Sequence, residues 1–213
     1  MFCYDFIEIM RTNRFSLCLL ALSLILQGCS ERPEFKAIKT GAKQGNAADQ
    51  YRLGWNYRTG NDVGPDEEVA MKWFHKAADQ NHLKAQITLG YIYLEGNGVA
   101  QNSKAAFKWF QKAAAQNSPQ GEFLLGKMHL NGSGTEPDVK EAMRWFHKAG
   151  RKGNHMALFY LGRIHEEGRE VKWNVVEAYK FYILAERGDA IKRLAKSMTP
   201  AQISEAVKYA VDF

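Results

Sequence analysis

Any chemistry in this 213-residue sequence would have to come from its six histidines, three cysteines and 23 acidic residues. They do not assemble into a reactive set. His165-Glu-Glu-Gly168 begins like the H-E-x-x-H helix that holds zinc, but the last position carries Arg169. His129 and His165 share a register, yet two imidazoles without a third ligand make a weak metal site. Gly96-Asn-Gly98 and Gly132-Ser-Gly134 look like pieces of a phosphate loop. Each follows a helical pattern instead of a strand, and neither completes G-x-G-x-x-G. No G-x-S-x-G occurs, and nucleophile, base and metal never converge. The sequence therefore predicts no catalytic residues, no metal and no cofactor. Its chemistry is expected to be that of binding.

The elements that would position such a binding surface are helices. At 46% hydrophobic and 24% charged, the composition permits a sizeable core. Only five prolines occur, and apolar residues recur at helical spacing without sustained alternation. The expected class is all-α. Cys3, Cys18 and Cys29 are too few and too N-terminal for a disulfide framework or a CxxC metal site.

The N-terminal stretch reads as an address. Met10 to Arg14 is a short basic segment, Ser16 to Leu26 is an apolar run of 11 residues, and Gly28-Cys29 follows. A permanent span needs roughly 20 apolar residues, about twice this length. Residues 1–9 carry Asp5 and Glu8, the wrong charge for the start of a signal, so Met10 is the expected initiator. Leu26-Gln27-Gly28-Cys29 resembles a bacterial lipobox. That resemblance implies cleavage after residue 28, lipidation of Cys29 and attachment to a membrane; Ser30, not being aspartate, implies the outer one. The formal charge is +6, and removal of residues 1–28 takes away two arginines and two acids, leaving it unchanged. Nucleic acid is not an expected partner outside the cytoplasm.

Four copies of one unit then follow. Residues 45–80, 81–116, 117–152 and 153–188 superimpose without a gap at a period of 36. Leu53-Gly54, Leu89-Gly90, Leu125-Gly126 and Leu161-Gly162 recur in register, as do Gly60, Gly96, Gly132 and Gly168. Trp73-Phe74, Trp109-Phe110 and Trp145-Phe146 are answered by Phe181-Tyr182, each pair followed by an alanine. The spacing predicts two antiparallel helices per unit. The first, helix A, is expected over about 47–59, ending at Gly60. The second, helix B, is expected to start after Asp66, Asn102, Asp138 or Asn174, all good N-caps. Positions 45, 81, 117 and 153 are Gly, Asn, Asn and Gly, the types that turn left-handed most easily. Gly54 and its equivalents lie inside helix A and are expected to admit a close neighbour. Residues 33–44 read as an N-terminal half unit. Residues 189–213 read as C-terminal capping helices, with Thr199-Pro-Ala-Gln202 as a capping box.

The unit A-x-x-x-L-G-x-x-Y-x-x-G…A-x-x-W-[FY]-x-x-A-A resembles the Sel-one-like repeat, a relative of the tetratricopeptide repeat. Asp49 stands in place of the unit's first alanine, His129 and His165 replace its tyrosine, and the fourth unit lacks its tryptophan. The resemblance implies a right-handed α-solenoid whose helix A lines the concave side. It also implies a scaffold or adaptor for a protein partner at the cell envelope. The alternative it offers is an immunity protein that inhibits a secreted effector such as a phospholipase.

Two surfaces are candidates. On helix A the columns Arg52, Thr88, Leu124, Tyr160 and Trp55, Tyr91, Lys127, Arg163 vary between units and are rich in the Trp, Tyr and Arg of interface anchors. On helix B, Lys72, Lys108, Arg144 and Lys180 share one position, and Lys76, Lys112 and Lys148 sit four residues later. These form a basic ribbon. It is either a solvated face whose stems cover aromatic rings or an attraction for anionic headgroups, cell-wall polymer or an acidic protein. His75 and His147 are expected to face solvent.

Overall fold

A computed structural model describes residues 32–169 and 171–211. The expected signal segment 1–28 and the lipidation residue Cys29 lie outside the described residues. Those described form eleven helices. They are α1 (Pro33–Lys43), α2 (Ala47–Thr59), α3 (Glu67–Asp79), α4 (Leu83–Glu95), α5 (Ser103–Ala115), α6 (Pro119–Asn131), α7 (Val139–Gly150), α8 (His155–Glu167), α9 (Val175–Leu184), α10 (Gly188–Ala195) and α11 (Pro200–Val211). Each packs mainly on its neighbours in sequence, and α11 folds back on α9. This is the pattern of an α-solenoid, in which one unit buries its apolar face only against the next. No described helix is long and apolar enough to cross a membrane.

The helix boundaries follow the punctuation in the sequence. Asp66, Asn102, Asp138 and Asn174 each accept the backbone N–H three residues on, capping α3, α5, α7 and α9. Helix A ends at Gly60, Gly96, Gly132 and Gly168, all left-handed, with φ between 63° and 74°. The inter-unit turns place Gly45, Asn81, Asn117 and Gly153 at φ of 95°, 61°, 59° and 81°.

The glycine inside each helix A makes room for a ring. A Cβ at Gly54, Gly126 or Gly162 would lie 2.7 Å from Phe74, Phe146 or Tyr182, and one at Gly90 would lie 2.3 Å from Phe110. Those rings are wholly buried, so the two helices of a unit touch ring to backbone. Asp49 has its own accommodation. A Cβ on Gly41 would collide with the Asp49 carboxylate, so the half unit carries glycine where later units carry Ala77, Ala113 and Ala149.

A polar seam ties each of the first two units to the element before it. Gln50 Nε2 donates to the Ala42 carbonyl and Gln86 Nε2 to that of Ala78, at 3.2 and 3.1 Å. Each amide oxygen in turn accepts from Gln80 or Gln116 of its own unit, at 2.7 Å in both cases. In the third unit the same two places hold Glu122 and Lys152.

The loops joining helix A to helix B line one edge. All four close with the same hydrogen bond, from Asp66, Asn102, Asp138 and Asn174 N–H to Tyr57, Tyr93, His129 and His165 carbonyls. The first three loops lean on the preceding unit where its helix B begins. Asp62 meets Arg32 just ahead of α1, Gly98 packs on Glu67, and Gly134 packs on the Ser103 carbonyl.

Candidate partner-binding face

The aromatic residues of helix A stand on the rings that fill the core. Trp55 lies edge-on to Phe74 at 5.7 Å and to Tyr51 at 6.3 Å, with the Arg58 guanidinium 5.6 Å over its indole. Tyr91 lies edge-on to Phe110 at 5.5 Å, and Tyr160 packs on Phe146 at 5.3 Å. Trp55 and Tyr91 remain 38% and 37% exposed. An aromatic fixed from beneath and open above loses little side-chain freedom when a partner covers it. Burial, aided by the Glu95 charge, pushes the Tyr91 phenol up, so it stays neutral and able to donate.

Two hollows lie between successive A helices. One of about 330 Å³ separates α2 from α4 and is lined by Trp55, Arg58, Thr88, Tyr91 and Glu95. A second of about 200 Å³ separates α6 from α8 and is lined by Tyr160, Arg163 and Glu167. Arg163 is held by Glu167 through Nε at 3.0 Å and a terminal nitrogen at 2.5 Å, and that hydrogen bond raises its already high pKa. The structure thus brings Trp55, Thr88 and Tyr91 together at one end and Tyr160 with Arg163 at the other. Arg52 is exposed beside Asp49 at 3.6 Å, and Lys127 sits 5.9 Å over Phe123.

Leu124 does not belong to this face. It is 3% exposed and packs with Phe110, Ala113 and Met128. Its column varies between units because its members differ in depth, and a leucine there turns inward. The histidines of helix B also need correction. His75 is half buried, bonded to the Tyr93 hydroxyl at 3.0 Å with its ring 5.5 Å from Trp109. His147 is half buried with its ring 5.3 Å from Phe181. Both fill the joint between one helix B and the next unit, where a flat polar ring packs as tyrosine would. His129 packs on Phe107 and His165 stacks on Phe181 at 5.7 Å. Among the described residues no three His, Cys, Asp or Glu side chains are grouped to hold a metal.

A larger cleft of about 850 Å³ opens at the C-terminal end of the fourth unit, between α8, α9 and α10. Glu166 sits in its wall, accepting from the Tyr182 hydroxyl at 2.5 Å and from Arg193 at 2.7 Å. Burial, with that hydrogen bond, drives the Tyr182 phenol far above its ordinary value, so it keeps the proton that it donates to Glu166. Arg187 lies 4.9 Å over Phe159. Arg193 follows the last repeat, and Arg187 stands at its very end, outside the helix A columns.

The basic ribbon is largely neutralised where it stands. Lys72 pairs with Glu68 at 2.6 Å, Arg144 with Glu141 at 3.0 Å and Lys180 with Glu177 at 2.5 Å. Lys76, Lys112 and Lys148 lie 4.3, 4.0 and 5.0 Å over Trp73, Trp109 and Trp145. Lys112 and Lys148 also reach Asp79 and Glu122. Among the described residues only Lys76 and Lys108 of the ribbon lack a carboxylate partner. Stems and ammonium groups covering rings account for the ribbon's period.

A helical solenoid with an open aromatic face defines a class of repeat proteins, and comparison gives it a family. The Sel1 repeat matches residues 47–82, 83–118, 119–154 and 155–189, two residues later than the units cut from the sequence. The chain belongs to the Sel1 repeat family, whose repeats are protein-interaction modules. Among solved structures it is similar to a protective antigen of uropathogenic Escherichia coli displaying an SLR fold. They share 35% identity and a TM-score of 0.68, over 72% of this chain and 33% of that one. The chain therefore spans about a third of that protein's length. It is also similar to a Sel1 repeat protein from Oxalobacter formigenes, at 27% identity and a TM-score of 0.68, over 84% and 78% of the two chains. An immunity protein from Pseudomonas aeruginosa shows a fainter likeness, at 20% identity and a TM-score of 0.46, over 71% and 56%. Comparison with curated proteins gives no match.

Proposed function

We propose that this protein is a non-catalytic scaffold of the bacterial cell envelope, lipid-anchored through Cys29 to the outer membrane, that holds a partner protein on its helix A face. The observation that carries the reading is the pair Trp55 and Tyr91. Each is more than one-third exposed, each is braced on a buried phenylalanine, and together they line one hollow. Interface energy concentrates in such aromatic anchors with arginine beside them, and Arg58 and Arg163 supply it here. The ribbon on helix B is the weaker candidate, because most of its charge is already matched.

Capture from envelope extracts tests the assignment. Wild type, Trp55→Ala/Tyr91→Ala and Lys72→Glu/Lys108→Glu are compared, with thermal unfolding to confirm that each variant is folded. Loss of the partner with the aromatic pair alone supports the helix A face. Loss with the lysine pair alone moves the site to helix B and overturns the assignment.

A further inference from the structure

Trp173 is the most exposed of the large aromatic side chains described, at 61%, and nothing in the repeat requires it. It precedes the N-cap Asn174, a place held by Pro65, Gln101 and Pro137 in the other units. A Cβ built on Gly168 would meet the Trp173 Cβ at 3.4 Å and its backbone at 3.6 Å, as one on Gly60 would meet Pro65 at 3.2 Å. The residue sits in the fourth of the loops between helix A and helix B, with its side chain largely exposed.

The start of the described chain lies on the same edge. Arg32 contacts Asp62 in the first of those loops, the next two lean on the preceding unit in the same way, and the fourth closes with the same hydrogen bond as the other three. Three residue steps separate Arg32 from Cys29, a span of at most about 10 Å even when extended. Acyl chains on Cys29 would sit in the hydrocarbon, so the loop edge would be held against the headgroups.

We propose that this edge faces the bilayer and that Trp173 is its second point of contact, its indole lodged in the headgroup layer. Tryptophan favours that layer because one side of the ring is apolar and the N–H remains wet. Arg169, in the same loop, is already paired with Glu167, so the contact rests on the ring more than on charge. The helix A and helix B faces would then stand upright from the membrane, both reachable by a partner. The inference rests on the lipid anchor at Cys29.

The test uses the full lipidated chain in phosphatidylcholine vesicles whose acyl chains are brominated close to the headgroup. Bromine quenches indoles that it touches. Trp173→Phe should remove roughly half or more of the quenching seen in wild type, whereas Trp55→Phe should remove little, if the exposed indole occupies the interface. Equal quenching in wild type and Trp173→Phe, with Cys29→Ser released from the membrane, overturns the edge contact and leaves the anchor standing. Loss of quenching with Trp55→Phe instead would lay the helix A face on the lipid and overturn it too. Cys29→Ser protein that stays membrane-bound like wild type sinks the anchor, and this proposal with it.

Discussion

Lys152 donates to the wholly buried Oε1 of Glu122 across 2.6 Å, at the place where the first two units join two glutamines. Lys148 adds a second contact at 3.2 Å. A carboxylate at this depth is tolerable only because both ammonium groups reach it. Its other oxygen has no partner in the structure, whereas Gln50 and Gln86 each send an N–H to the preceding unit.

A double-mutant cycle on this pair should be strongly non-additive. Lys152→Gln alone strands part of a buried charge and should cost about 3 kcal/mol in urea unfolding. Glu122→Gln/Lys152→Gln rebuilds the arrangement of the earlier units and should return to within about 1 kcal/mol of wild type. Equal losses for the single and double variants would mean that the cost of losing Lys152 does not come from stranding the Glu122 charge.

Two glycine-to-alanine changes should go opposite ways. Gly90→Ala drives a methyl to 2.3 Å from a buried Phe110 atom and should destabilise by about 1–3 kcal/mol. Gly188, at the first position of α10, has nothing within reach of a new Cβ, so Gly188→Ala should leave the melting temperature unchanged or raise it slightly. Thermal unfolding followed by circular dichroism reads both.

Stability should decline on mild acidification. His75, His147 and His165 all have pKa values lowered from 6.5, above all by burial; Lys180 and Arg151 add to the effect at His147 against Glu177. The unfolded chain therefore binds more protons than the folded one once the pH drops below 6.5. The stability is full above that pH and is lost as the pH falls through the folded values. The urea midpoint should fall between about pH 7.5 and about pH 5, the range in which histidine is the residue that titrates. His147→Gln, which borrows the side chain of Gln111 in the unit before, should flatten that slope.

The parts of the fold legible in sequence were those that repeat. Gly60 and its equivalents, the Asp and Asn caps and the Leu-Gly step each state a backbone requirement four times over. Leu124 was not legible, because a column containing arginine, threonine and tyrosine does not say which member turns inward. His75 was missed for a related reason. Its partner Tyr93 lies on the next helix, and no unit offers the same pair again. The cleft around Glu166 is completed by Ala190 and Arg193 from beyond the last repeat, where there is no second copy to compare.

The seam between units has a consequence for how such a chain can change length. Gln50 with Gln80, Gln86 with Gln116 and Glu122 with Lys152 each lie inside a single unit, and across the boundary the glutamines of the first two units meet a main-chain carbonyl. A carbonyl is the same whatever residue carries it. A whole unit can therefore be duplicated, deleted or moved by recombination with its polar pair complete, and the new neighbour already offers the acceptor it needs. Selection can lengthen the array first and adjust the exposed columns afterwards.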